Sequence, residues 1–282
     1  MLSRTTLCAC SPMAPVETSG PGSLPGYSSS VLPRIFATAY LTPLREGGSL
    51  PGLVEADDDG IYVVKFVGAG QGPKALVAEV VVGELARSLG IRTPDLALID
   101  VDAEIGRREP DEEVQALVAA SAGLNLAVDF LPGSVGYDRS FPVAAEQAAA
   151  VIWLDAFVAN VDRSSRNTNL LIWHKNLWAI DHGACLRFHH AWGDPDRFAT
   201  SAYDYGDHVL AGRADPRSGH DQLANTVTPA LLEGILELVP DAWLLPDPDR
   251  PDPQAPGDAA AARCHYRDYL LARLAAADRW LP

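Results

Sequence analysis

The chain has 282 residues, enough for two domains of ordinary size or one large bilobal unit, and enough to fold without a metal or disulfide staple. It carries 22 basic against 37 acidic residues, a formal net charge of -15. That balance disfavours direct nucleic-acid binding and adhesion to anionic membranes, both of which require basic surface. The longest apolar stretch, Ala148 to Ala159, is interrupted by Asp155 and is too short to span a bilayer. The cysteines show no CxxC spacing, and the first residues lack an apolar signal core. A cytoplasmic protein with reduced thiols and no membrane attachment is therefore expected.

Residues 1–31 are rich in Ser, Pro and Gly and read as a disordered tail. Strand character follows over Ile35 to Leu41, then a glycine-rich turn region from Arg45 to Gly52. Leu53 to Ala56 and Ile61 to Val67 read as strands joined by Asp57-Asp58-Asp59-Gly60, with Gly60 expected to supply the positive φ. A helix is predicted from Pro73 or Lys74 to Leu89, closed by Gly90. Leu96 to Val101 is a further strand, Asp102 to Glu113 an acidic loop, and Asn125 to Phe130 a strand stopped by Leu131-Pro132-Gly133.

Pro142 to Asn160 reads as a helix apolar nearly all round, which belongs in a core. Asn169 to His174 and Leu177 to Asp181 form a hairpin turning at Lys175-Asn176, and helices are expected near Pro229 to Leu238 and Ala259 to Ala276. A strand-rich half thus precedes a helix-rich half. The segment Gly68-Ala69-Gly70-Gln71-Gly72 follows a strand and opens a helix, but its third glycine comes one residue early for a dinucleotide fingerprint.

The informative segment runs from Asn160 to Asn169, followed by Ile180-Asp181-His182-Gly183. Asp162 ends a buried helix, Asn167 follows five residues later, and a short hairpin delivers Asp181. Phosphoryl transfer needs these residue types: a carboxylate to orient a hydroxyl and take its proton, and an amide oxygen with a second carboxylate to hold magnesium. Lys65 interrupts a run of buried-type residues, where a bare ammonium is costly. Two glutamates compete as its helix partner. Glu79 shares a face with the small residues Gly83 and Ala86, whereas Glu84, near Arg87 and Ser88, looks solvated and locally paired.

Asn160-Val161-Asp162-Arg163, Arg166 to Leu171, Trp173-His174 and Ile180 to Ala184 resemble the catalytic and metal-binding loops of the HipA-like kinases, over roughly residues 35 to 280. The catalytic loop also resembles that of the phosphatidylinositol kinases. The resemblance implies a two-lobed α+β protein-kinase-like fold: a tail over 1–31, a nucleotide-binding N-lobe over 32–131 and a C-lobe over 132–282. It implies an ATP- and magnesium-dependent kinase acting on a hydroxyl of a protein Ser/Thr or a small molecule. Asp162 would be the catalytic base, Asn167 and Asp181 the magnesium ligands, and Lys65 the phosphate-binding lysine held by Glu79. Ser164 and His182 depart from the usual His and Phe of relatives.

Gly47, Gly48 and Ser49 are candidates to cap phosphates through backbone N–H groups. Asp129, Phe130 and Leu131 are candidates for a lobe connector meeting an adenine edge. Arg163 and Arg166 could clamp phosphate or brace the loop. Two competing readings keep the same site: a nucleotide-binding pseudokinase scaffold, and an enzyme transferring AMP instead of phosphate.

Overall fold

In a computed structural model, which describes residues 31–44, 50–70, 72–246 and 252–282, five strands close into a barrel. They are β1 (Arg34–Pro43), β2 (Gly52–Ala56), β3 (Ile61–Lys65), β4 (Leu96–Val101) and β5 (Gly123–Asp129), in the order β1-β2-β3-β5-β4. All pairings are antiparallel except β1 with β4, where Ile35 lies opposite Ile99. Closure leaves no unpaired edge strand. Ile35, Val54, Val64, Ala97, Ile99 and Ala127 fill the interior, and Val114 and Val118 cover it.

The two covering valines belong to α2 (Glu112–Ala120), whose N-cap Asp111 accepts the Glu113 N–H. The sequence reading has loop up to Glu113 and nothing helical beyond. With only these two residues of nine fully buried, the helical period is too weak to show. A second difference concerns the β2–β3 turn. Asp59, at φ 63°, takes the left-handed position in place of Gly60, a conformation Asp tolerates. Asp58 holds the turn by accepting from Gly60 N–H at 3.0 Å and Tyr62 O–H at 2.7 Å.

Between β3 and β4 runs α1 (Pro73–Ser88), buried without interruption from Leu76 to Ala86. Its C-terminus is closed by Gly90 at φ 76°, the left-handed position for which glycine lacks a Cβ penalty. A helix buried on every face must be surrounded. The apolar residues of α1 join one continuous core with those of α3 (Ala145–Val158), α6 (Pro229–Glu237) and α7 (Asp241–Leu244). This core links the barrel side of the molecule to the helical side.

The helix α3 begins three residues after the expected Pro142, because Ala144 is extended and serves as N-cap. It ends where Ala159 turns left-handed at φ 54°. Next comes a three-stranded sheet, β6 (Val135–Gly136), β7 (Leu170–Trp173) and β8 (Asn176–Ala179), in that order. Its tight turn is made by His174 and Lys175, both at positive φ, one residue earlier than the predicted Lys175-Asn176. The remaining helices are α4 (Pro195–Ala199), α5 (His220–Thr226), α8 (Ala259–Ala275) and α9 (Ala277–Trp280). The architecture is the expected one, a strand-rich barrel with one central helix followed by a helical region. No helix among the described residues is long and apolar enough to cross a membrane.

The helical region is centred on Trp153, Phe157 and Trp280. Phe157 stacks on Trp153 at 5.2 Å and meets Trp280 at 5.8 Å, with no exposed surface. Replacing Phe157 by Ala leaves a cavity there, and we expect a loss of about 3–5 kcal/mol, read as a lower urea midpoint with an unchanged slope.

Candidate active site

Strand alternation at the end of β3 sends Val64 into the barrel and Lys65 out of it, toward α1. There the Lys65 ammonium contacts the Glu79 carboxylate and donates to Asp181 Oδ1 at 2.7 Å. Burial disfavours the Lys65 charge, but the two carboxylates outweigh it and hold its pKa above the ordinary lysine range. The Asp181 carboxyl is drawn down to about 2, chiefly by the Lys65 charge. Glu79 moves the other way, because burial and the Asp181 charge outweigh Lys65. Glu79 also accepts the His182 backbone N–H. A Cβ at Gly183 would lie 3.1 Å from Glu79 Oε1, so glycine permits this close approach.

Asp162 sits in the loop after α3, held by side-chain amides. Asn167 Nδ2 donates to Asp162 Oδ2 at 2.9 Å, and Asn169 Nδ2 donates to Asp162 O and Oδ2 at 3.0 and 3.3 Å. The Asp162 N–H donates to Asn160 Oδ1 at 3.0 Å. Asn169 and Asp181 both have positive φ, 45° and 56°, positions where Asn and Asp are the least costly residues after glycine.

Beneath this loop lies a buried network that the sequence reading missed. Asp155, fully buried in the last turn of α3, accepts from Asn160 Nδ2 at 2.7 Å, Arg163 Nε at 2.6 Å and His208 Nε2 at 2.9 Å. Arg163 reaches on to the carbonyls of Asn169 and Ile180 and to His182 Nδ1. One carboxylate therefore ties together the segments that carry Asp162 and Asp181. Burial opposes its charge, yet Arg163, His208 and Asn160 hold the Asp155 pKa well below the usual carboxylate range. Burial and the Arg163 charge lower His182 to about 3, so its imidazole is neutral. The signal in the sequence was the charge of Asp155 inside the otherwise apolar run Ala148 to Ala159, which must be paired to be buried.

Arg163 is thus a brace, its side chain without exposed surface, whereas Arg166 is exposed. Glu84 is the other correction. It is locally paired, 3.5 Å from Arg87, but buried at 7% exposure and not solvated. The Asp129 side chain is half-buried, and burial with the charges of Asp95 and Asp58 raises its pKa. The amides of Asp129 and Phe130 donate to Asp95 O at 2.8 Å and Ile61 O at 3.1 Å. Gly47, Gly48 and Ser49 lie outside the described residues. Among the described residues, no group of three or more His, Cys, Asp or Glu side chains is placed to hold a metal ion.

A family model described as HipA-like kinase matches residues 39–263. No curated protein matches the chain. Among solved structures, a Helicobacter pylori proinflammatory kinase, CtkA, is similar at 11% identity over 89% of this chain and 95% of that one, with a TM-score of 0.49. A Golgi casein kinase is similar at 13% identity over 89% of this chain and 74% of that one, with a TM-score of 0.39. Its Mn/ADP-bound structure gives 14% identity, 87% and 73% coverage, and 0.41. At these scores none of the three likenesses bears on what the chain does.

Removing Asp155 leaves the Arg163 charge buried and unpaired. For Asp155→Ala we expect a loss of about 3–5 kcal/mol, measured by denaturant titration. Because the folded pKa of Asp155 is depressed, its contribution is complete above the unfolded value near ~4 and declines as pH falls below it. Melting temperature should therefore fall less steeply between pH 5 and pH 3 in Asp155→Asn than in the parent chain, on these reference values.

Proposed function

The chain belongs to the HipA-like kinase family and is a phosphotransferase, and we propose that it transfers the γ-phosphoryl group of ATP to an acceptor hydroxyl on a protein or small molecule. The observation that carries this reading is the contact of Lys65 with both Glu79 and Asp181, across 116 residues of sequence from β3 to the end of the β7–β8 hairpin. An ammonium held between two carboxylates at a junction of elements is poised to meet the phosphates of a nucleotide.

In this reading Asp162 orients the acceptor hydroxyl and takes its proton. The acceptor oxygen bonds to the γ-phosphorus as the bond to the bridging oxygen breaks, and that oxygen leaves with the electron pair on ADP. Asn167 and Asn169 fix the Asp162 carboxylate through their amide N–H groups. Lys65 binds phosphate oxygens, and Glu79 keeps the ammonium in place when it does so.

Asn167 and Asp181 would hold magnesium, which, when bound, neutralises charge on the phosphates. The donor set fits that ion: one amide oxygen and one half-exposed carboxylate, with no all-protein cage of His, Cys, Asp or Glu among the described residues. Magnesium keeps several waters and takes one or two carboxylates plus phosphate oxygens.

Asp129, Phe130 and Leu131 are the segment proposed to meet the adenine edge. With the first two amides committed to Asp95 and Ile61, the Leu131 N–H is the donor of that stretch without a backbone partner among the described residues. Gly47, Gly48 and Ser49 would cap the phosphates.

Two variants test the assignment in ATP turnover with magnesium. Asp162→Asn should lower kcat by about 10²–10⁴ while nucleotide affinity stays close to that of the parent. Asp181→Asn should remove magnesium-dependent ATP binding in calorimetry. Turnover equal to the parent in either variant would end this reading.

A further inference from the structure

Two histidines side by side end the helical turn Arg187–His190, on the segment that leads from Gly183 into the helical region. Their Nε2 atoms lie 3.1 Å apart, and His189 Nδ1 lies 2.8 Å from the Tyr266 hydroxyl on α8. His189 and Tyr266 are buried, whereas His190 is exposed. The result is a hydrogen-bonded chain that runs from the core to solvent. A bond between two ring nitrogens needs one donor and one acceptor, so at least one imidazole must be neutral.

The charge around this chain is one-sided. The cations acting on His190 are Lys74, from the first turn of α1, and Arg187, on its own turn. Lys74 and His190 act on His189. Burial, ahead of these cations, lowers both imidazoles from the ordinary histidine value, His189 well below it. From α8 the titratable neighbours are Tyr266, kept protonated by burial, and His265, whose Nδ1 lies 2.8 Å from Ala261 O. The carboxylates of the adjoining loops are directed elsewhere. Asp252 accepts the Trp192 N–H at 3.1 Å, and Asp194 accepts that of Asp196 at 3.0 Å. One added proton can share the ring-to-ring bond, but it sets a new cation near Lys74 and Arg187. A second brings two N–H groups head to head.

The same first turn of α1 touches the segment that carries Asp181. A Cβ at Gly183 would lie 3.6 Å from Ala75 Cβ and 3.1 Å from Glu79 Oε1. Farther along, Phe188 stacks on Tyr269 at 4.5 Å and meets Phe198 at 4.6 Å, so α8 holds the other end. Lys74, Trp192 and Tyr266 line one small cavity, where α1, this segment and α8 meet.

Resting on the kinase reading above, we propose that the Tyr266–His189–His190 chain is an acid-sensitive latch, which holds the segment after Gly183 against α1 and α8 and, when protonated, releases that segment and with it the position of Asp181. The sign follows from the neutral rings. A histidine held neutral in the folded chain contributes fully above the unfolded value near ~6.5, and its contribution is lost as pH falls below that value.

The test compares the full chain with His190→Gln, whose amide can still bond to His189 Nε2 but takes no proton. Amide hydrogen exchange is measured over residues 184–192 and over α3, corrected for the intrinsic pH dependence of exchange. Between about pH 7.5 and about pH 5.5, exchange of 184–192 should rise about tenfold per proton in the parent, while α3 stays protected. His190→Gln should remove most of that rise. Magnesium-ATP affinity, followed by calorimetry over the same range, should fall more in the parent than in the variant. Exchange that is equal at both pH values in the parent, or that rises equally in the variant, overturns the latch. An open segment with ATP affinity changing equally in both chains overturns its coupling to Asp181. If magnesium-ATP binds but exchange is flat, this inference alone fails. If exchange rises only in the parent while magnesium-ATP binds at neither pH, the latch stands and the kinase reading falls.

Discussion

A buried ammonium cannot stand without counter-charge, and this requirement organises the centre of the molecule. Lys65 leaves the barrel at the end of β3 and finds Glu79 on α1 and Asp181 beyond the hairpin. For that contact to form, the barrel, the central helix and the hairpin must hold one relative position. The continuous core around α1 supplies the rigidity, since the helix is buried on all sides from Leu76 to Ala86 and packs against both halves of the chain. Gly183 then lets the backbone after Asp181 approach Glu79, which accepts the next amide.

A second buried charge does comparable work one layer below. Asp155 has no exposure and three side-chain partners, Asn160 and Arg163 from the loop after α3 and His208 from much later in the chain. The network fixes the backbone on both sides of Asp162 and, through Arg163, the carbonyls leading to Asp181. Such a pair contributes little net stability over an apolar equivalent, but it costs several kcal/mol to break. Its consequence here is geometric: the loop residues that face outward are positioned by groups that face inward. His182, neutral and packed against Arg163, belongs to the same layer.

Much of the plan was legible in the residues. The strand run through Lys65, the long apolar helix before Asp162 and the tight hairpin before Asp181 each carry strong local periodicity or turn chemistry. Where local signal was weak, the reading failed. The helix α2 has two fully buried residues in nine and hides behind an acidic stretch. Asp59 rather than Gly60 takes the left-handed position in the β2–β3 connection, and Gly60 is needed there for space instead, since a Cβ would come within 2.6 Å of the Tyr62 ring.

From order and spacing alone, the chain declared its two-part architecture, its family resemblance and the residue types able to perform phosphoryl chemistry. These are local properties, written in periods of two and 3.6 and in the chemistry of neighbouring side chains. What the chain order did not contain was distance. That β1 closes on β4, that Glu84 is buried, and that Arg163 braces and does not reach out all depend on contacts that the chain order does not print. Burial and charge pairing are properties of the folded neighbourhood, and only packing assigns a side chain its neighbours.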